Sequence, residues 1–235
     1  MATAVVIGAT GGIGGALVEE LVRRGAHDRI IALSRHPVAP SAPGIVTARL
    51  DLTDEASIAA AASQVEEAEL VIVATGILQS GTLRPERSYR ALDGETMLES
   101  LRINLVGPAL VAKHFLPRLP RSRRSVFAAL SARVGSISDN RLGGWHSYRA
   151  SKAALNMTLA NLAIELARER PQAICVGLHP GTVDTGLSAP FQRGLATGQL
   201  FTPAYSALCM LDVIARLSPD DSGRVMAWDG SRIAP

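Results

Sequence analysis

The stretch VVIGATGGIGGAL, residues 5–17, constrains the rest of the chain more than any other. A short apolar run leads into glycines at 8, 11, 12 and 14. Beyond them Ile13, Leu17 and Leu21 recur at one-turn spacing, and Gly25 follows as a C-cap. A strand must therefore turn tightly into an amphipathic helix. Glycines at such a turn let the backbone approach a ligand, and the helix offers free N–H groups and a positive dipole end to an anion. In this context the motif predicts a dinucleotide pyrophosphate in preference to a purely structural turn. The spacing fits both Gly8-x-x-x-Gly12-x-Gly14 and Gly8-x-x-Gly11-x-x-Gly14, and it does not fit G-x-G-x-x-G.

The same alternation continues along the chain. Strand candidates are 3–9, 29–34, 45–50, 69–75, 125–130, 173–178 and 224–228, several of them almost wholly apolar. Such runs suit parallel strands covered on both faces. Helical stripes lie between them, as with Leu155, Leu159, Leu162 and Leu166. The pattern predicts an α/β fold: a doubly wound parallel (Rossmann) sheet of about seven strands with helices on both faces. No repeat or linker divides residues 1–235, which are expected to form a single dinucleotide-binding domain. Residues 184–203, with scattered Gly, Ser and Pro, read as a loop or lid.

Composition narrows the function classes. No apolar run approaches a bilayer span, and no leader is expected before the first strand, so a cytoplasmic protein without membrane contact is expected. Net charge is +3, and the one basic cluster, Arg118, Arg121, Arg123 and Arg124, reads as a solvated loop; nucleic acid is not an expected partner. Cys175 and Cys209 have no metal spacing and read as buried free thiols. Of 24 basic residues only Lys113 and Lys152 are lysine. Arginine serves wherever bare charge suffices, so Lys152, four residues after Tyr148, is singled out. On a helix the two share a face. A phenol ordinarily titrates near 10, and a neighbouring ammonium is expected to lower it toward useful proton chemistry.

These motifs, in this order, resemble the short-chain dehydrogenase/reductase family over almost the whole chain. The likeness comprises the glycine turn, Asp51 after the third strand, VATG (73–76), RINLVGP (102–108), Tyr148 with Lys152, and HPGTVDT (179–185). Within the family, GGWHSYRASKAALNM (143–157) and LHPG (178–181) are most similar to the carbonyl reductase-like subgroup that includes C-factor, a bacterial cell-signalling factor. The resemblance implies that Tyr148 is the acid that protonates a carbonyl oxygen as hydride arrives, and the base in reverse. Lys152 lowers its pKa and reaches ribose hydroxyls. Asn104 holds a water that links Lys152 to solvent, unless it merely satisfies local backbone. Asp51 contacts adenine, or else helps Thr53 start the next helix. The implied cofactor site comprises Gly8, Thr10, Gly11, Gly12, Ile13, Gly14, Ser34, Arg35, Asp51, Leu52, Ala74, Thr75, Gly76, Asn104, Tyr148, Lys152, Pro180, Gly181, Val183 and Thr185. His146 and His179 are expected to serve packing or rim polarity.

Two departures matter. Ala74 stands where many members have asparagine, and Ala132 stands where the catalytic serine usually falls. By strand register Ser131 is one place short; by distance back from Tyr148, Ser136 fits. The reading ranks Ser136 first and Ser131 second as the hydroxyl partner. At the end of the second strand, Ser34 and Arg35 replace the acid that would select NAD(H), so NADP(H) is favoured. Leu187, Phe191, Leu195, Leu200 and Phe201 suggest a small apolar carbonyl or alcohol substrate. The resemblance also allows a homodimer or homotetramer. Two rivals remain: a dinucleotide-binding signalling or sensor protein with weak or no catalysis, and an extended-type member, which the short chain beyond PGTVDT disfavours.

Overall fold

The computed structural model describes residues 2–81, 83–192 and 198–235. Six strands carry the fold: β1 (Thr3–Ile7), β2 (Arg29–Ser34), β3 (Ile45–Arg49), β4 (Leu70–Val73), β5 (Ser125–Leu130) and β6 (Ala173–His179). β7 (Thr182–Val183) and β8 (Leu200–Phe201) form a separate parallel pair. β9 (Val225–Ala227) and β10 (Arg232–Ile233) complete an eight-stranded sheet ordered β3-β2-β1-β4-β5-β6-β9-β10. Every pairing in it is parallel except β9 with β10. After β1 the chain builds outward to β3 and then returns to β4 on the other side of β1. That reversal opens a crevice above the carboxyl ends of β1 and β4, where ligands of such sheets bind.

Helices α1 (Gly12–Arg24) and α6 (Pro203–Arg216) cover one face. Helices α2 (Glu55–Ser63), α4 (Gly107–Phe115) and α5 (His146–Glu169) cover the other, and α3 (Gly94–Leu101) runs into α4 through a π-helical turn at Arg102–Val106. Alternate strand residues feed the two cores: Val5 and Ile7 pack with Phe115 and Leu159, Ala4 and Val6 with Leu17 and Met210. Burial on both sides explains why the strands read as unbroken apolar runs.

Some details depart from the sequence reading. β1 stops at Ile7 because Gly8 turns to φ +87°, with its N–H and that of Ala9 donating to Leu33 O at 2.8 and 3.1 Å. Gly25 is the C-cap of α1 at φ 61°, as the sequence reading has it. β10, two residues long, has no pattern to announce it. Within 184–203, β8 and the first residue of α6 are ordered elements. The basic cluster is partly structural: Arg123 pairs with Glu67 and Glu69, and Arg124 donates to Ile214 O and Leu217 O. Cys175 is buried and Cys209 half-buried, both free. Among the described residues no helix is long and apolar enough to cross a membrane.

Candidate active site

The glycine turn divides its duties by position. A Cβ on Gly14 would lie 2.1 Å from Gly8 O, so Gly14 is needed for the helix to pack on the turn. A Cβ on Gly8 would meet Thr75 Cγ2 at 2.8 Å, and one on Gly12 would meet Thr185 Cγ2 at 2.9 Å. Helix α1 starts from Gly11 with no capping side chain and no acid in its first turn. Its positive end is therefore left open beside exposed Thr10, Gly11 and Gly12.

Gly11, Gly12 and Ile13 form one wall of a cavity of about 560 Å³. Ala74, Thr75 and Gly76, following β4, form a second wall. Pro180, Gly181, Val183 and Thr185, following β6, form a third. Tyr148 and Lys152 enter from α5, and Ser131 and Ala132 from the end of β5. Most of the residues singled out from the sequence thus meet around one space. A buried Thr75 Oγ1 without a hydrogen-bond partner belongs to the same wall. The open helix end, the glycine cradle and this orphaned hydroxyl fit a bound dinucleotide.

Lys152, 2 % exposed, donates from Nζ to Leu130 O at 2.8 Å, and Nζ lies 5.8 Å from the centroid of the Tyr148 ring. Burial pushes this amine down from its ordinary 10.5 to about 8. Burial likewise pushes the phenol of half-buried Tyr148 up to about 12. The expected lowering by the ammonium does not show: burial moves the phenol the other way. The Tyr148 ring meets the edge of Trp145, centroids 6.4 Å apart.

Asn104 is fully buried in the π-helical turn. Its amide pins Ile77 twice, accepting from the N–H and donating to the carbonyl, both at 2.8 Å, and also reaches Ser151 Oγ at 3.1 Å. Ser151 Oγ in turn donates to Tyr148 O at 2.8 Å. The side chain of Asn104 is thus spent on holding the loop after β4 and, through Ser151, the helix behind Tyr148. A Cβ on Gly76 would sit 3.4 Å from Asn104 Oδ1 and 3.5 Å from Lys152 Nζ.

The two serines part company. Ser131 lines the cavity but donates to Asn156 Oδ1 at 2.6 Å. Ser136 is buried after a 3₁₀ turn at Arg133–Gly135, where it donates to Pro235 O at 3.2 Å and accepts from Asp139 N at 3.1 Å. It does not line the cavity. The serine ranked second is thus the one on the cavity wall. Ala132, extended at φ −152°, contributes only a methyl group.

Ser34, Arg35, Asp51 and Leu52 lie at the ends of β2 and β3, away from this cavity. Ser34 is buried and Arg35 exposed. The Asp51 carboxylate accepts from Thr53 N at 3.0 Å and Thr53 Oγ1 at 2.8 Å; these bonds hold it below its ordinary value, with Arg35 and Arg49 adding to the effect. Helix α2 is capped by Asp54, not by Asp51 or Thr53. Leu52 packs under Gly107. Of the apolar residues expected to shape the pocket, Leu187 lines it. Phe201 instead stacks edge-on against Trp228 at 4.6 Å, beneath Gly181. Leu195 and the side chain of Phe191 lie outside the described residues.

The sequence reading missed three participants. Glu86, 4 % exposed, accepts from Ser147 N at 3.2 Å and from Ser147 Oγ, and its main-chain oxygen accepts from Trp145 N at 2.5 Å. Trp145, at φ 50°, is the one non-glycine residue with positive φ among those described, and α5 starts from it without a capping side chain. Glu86 supplies that cap from a distant segment. Arg49 comes within 4.0 Å of Asp51 and of Asp54. Nothing in RPERSYR (84–90) sets Glu86 apart from an exposed loop acid.

The model of the short chain dehydrogenase family matches residues 2–195. The chain is 31 % identical to 1-hydroxy-2-glutathionyl-2-methyl-3-butene dehydrogenase of a Rhodococcus strain, over 98 % of each. It is 35 % identical to the C-signal protein of Myxococcus xanthus over 60 % of this chain and 80 % of that one. Its fold superimposes with a TM-score of 0.84 on an NADPH-bound carbonyl reductase from chicken fatty liver, 28 % identical, covering 99 % of this chain and 94 % of the other.

Proposed function

The chain belongs to the short-chain dehydrogenase family of oxidoreductases, and on that premise we propose that it is an NADP(H)-dependent reductase of small carbonyl compounds, running in reverse on the matching alcohols. One observation carries the reading: Tyr148 and Lys152, one helical turn apart, line the same cavity as the uncapped start of α1. The nicotinamide half of the cofactor, held by Thr75, Gly76, Pro180 and Thr185, would supply hydride to the carbonyl carbon. Tyr148 gives its phenol proton to the carbonyl oxygen and recovers one from solvent, so a ketone or aldehyde becomes the alcohol. A phenol held at about 12 keeps its proton until the oxygen becomes basic. Lys152 places positive charge where the phenolate develops. Asn104 keeps the loop after β4 and the α5 backbone in place through Ile77 and Ser151.

Gly8, Gly12 and Gly14 would admit the pyrophosphate to the N-terminus of α1, and Thr75, Gly76, Pro180 and Thr185 would face the nicotinamide half. Exposed Arg35, with Arg49 from the neighbouring strand, supports NADP(H) over NAD(H), since no acid stands at the end of β2. Leu78, Leu130, Val134 and Leu187 around the cavity support an apolar substrate. Exposed Leu98 on α3 and Met157 and Ile164 on α5 support pairing of copies through these helices. NADPH oxidation with a panel of aldehydes and ketones tests the reading. Turnover that falls by about 10²–10⁴ in Tyr148→Phe while NADPH binding persists is the expected result.

Ala132 favours a second reading. A protein that binds the dinucleotide as a sensor would need no hydroxyl there. It would bind NADPH and consume none across the same panel.

A further inference from the structure

We propose that His179 is a further catalytic residue, donating a hydrogen bond from Nε2 to the substrate oxygen in the part of the cavity where Ala132 offers none. This rests on the reductase reading above. As hydride adds to a carbonyl, negative charge gathers on oxygen, and a fixed second donor beside the proton-giving phenol stabilises it. Ala132 has no hydroxyl, and the Ser131 hydroxyl is already committed to Asn156 at 2.6 Å. Arg133, at the rim, is tied to Asp139 at 3.2 Å.

His179 ends β6 beside these residues. Leu130 and Leu178 are register partners, and Ser131 N donates to Leu178 O at 2.8 Å, so His179 follows on directly where β5 releases Ser131 and Ala132. It lines the same cavity as Tyr148. Its Nδ1 is buried and has no hydrogen-bond partner. A proton on Nδ1 would be an orphaned buried donor, which is costlier than an orphaned lone pair. The proton therefore belongs on Nε2. Burial, reinforced by Arg133 and opposed by Asp229, holds the imidazole near 4, so it stays neutral through the physiological range. A neutral ring donates without competing with Tyr148 to give up a proton.

The test compares His179→Ala, His179→Gln and His179→Asn with the unsubstituted protein, using NADPH and 4-nitrobenzaldehyde. Loss of one such donor is typically worth about a hundredfold or more in kcat. His179→Ala is expected to show that loss with NADPH affinity intact. Glutamine places its amide near Nε2 and asparagine near Nδ1, so Gln should retain at least about tenfold more activity than Asn. Ala132→Ser added to His179→Ala should recover much of the rate. Loss of less than threefold in His179→Ala, or Asn outperforming Gln, overturns the proposal. Histidine ¹⁵N NMR gives a readout without turnover. The expected signature is a neutral Nε2–H ring from pH 5 to 9, with its Nε2 signal moved by 4-nitrobenzyl alcohol and NADP⁺. An Nδ1–H ring, or an unmoved Nε2 signal, overturns the role. If the unsubstituted protein reduces no carbonyl, the reductase reading fails and the catalytic role of His179 falls with it, whereas normal turnover with an unmoved Nε2 signal overturns the role of His179 alone.

Discussion

Glu86 places its buried carboxylate 3.2 Å from the main-chain N–H of Ser147, the residue before Tyr148. A helix start without a capping side chain of its own is thus capped from sixty-one residues away. The bond fixes where the first turn of α5 begins, and so where the phenol points.

Removing that cap should cost both stability and rate. Glu86→Ala leaves Ser147 N–H buried without a partner, a loss of about 1–3 kcal/mol in urea unfolding. The kcat should fall as well, because Tyr148 loses its fixed start. Glu86→Gln keeps one acceptor and should lose less of both. A kcat unchanged in Glu86→Ala would show that α5 holds its register without it.

Tyr148→Phe deletes one hydroxyl at a half-buried position. The fold and NADPH affinity should persist, and kcat for carbonyl reduction should drop by about 10²–10⁴. Stopped-flow turnover beside a fluorescence titration of NADPH separates the two effects.

Lys152 makes opposite demands on stability and activity. Its amine is lowered to about 8 in the fold against 10.5 when free, so the unfolded chain binds more protons between those values. Stability therefore rises as pH climbs through that window and is lower below it. Lys152→Met should gain about 1–3 kcal/mol near pH 7, discounted for the donor lost to Leu130 O, and gain little above about pH 10.5. Carbonyl reduction by the unsubstituted enzyme should decline above about pH 8 as the ammonium loses its proton. Urea midpoints and rates across pH read the two windows separately. A rate that is flat to pH 10 would detach Lys152 from the chemistry.

Arg35→Ala should weaken NADPH by about tenfold or more and leave NADH nearly untouched, as expected for a lost charge-assisted contact with a 2′-phosphate. Arg49→Ala should act in the same direction, since β3 sets it beside the end of β2. Isothermal titration with both cofactors measures the ratio, and equal losses for NADPH and NADH would place the phosphate elsewhere.

Ser136→Ala should change kcat by less than about threefold, because its hydroxyl serves Pro235 and Asp139 outside the cavity. Ser131→Ala should have the larger effect, by releasing Asn156. The reverse order in steady-state kcat would restore the ranking by chain distance.

What could be read before the structure follows from where the information sits. β1, β2, β4, β5 and β6 are buried on both faces, so each shows as an apolar run, and the glycine turn is local chemistry that needs no partner. The pairing of Tyr148 with Lys152 is likewise a matter of one helical turn. The place of Ser136 was not legible because separation along the chain measures path length, and the 3₁₀ turn at Arg133–Gly135 sends it toward Pro235. The phenol shifted upward instead of downward because burial depends on everything packed around it, which a tyrosine–lysine spacing does not contain. Glu86 was invisible for the same reason: a carboxylate in a polar stretch becomes a buried cap only when Ser147 is brought to it.

The short ladder of β7 on β8 joins Thr182 to Leu200 and Val183 to Phe201, with Phe201 wedged against Trp228. Whatever chain runs between these two strands therefore leaves and returns through fixed anchors. Thr185 and Leu187, just past β7, line the cavity and have to be kept, while each doubling of the length that follows costs only about 0.6 kcal/mol in closure entropy. A segment from a relative grafted after Leu187 is therefore expected to change which carbonyl compounds are accepted while Tyr148 and Lys152 stay where α5 puts them, and the same panel run on the graft measures it.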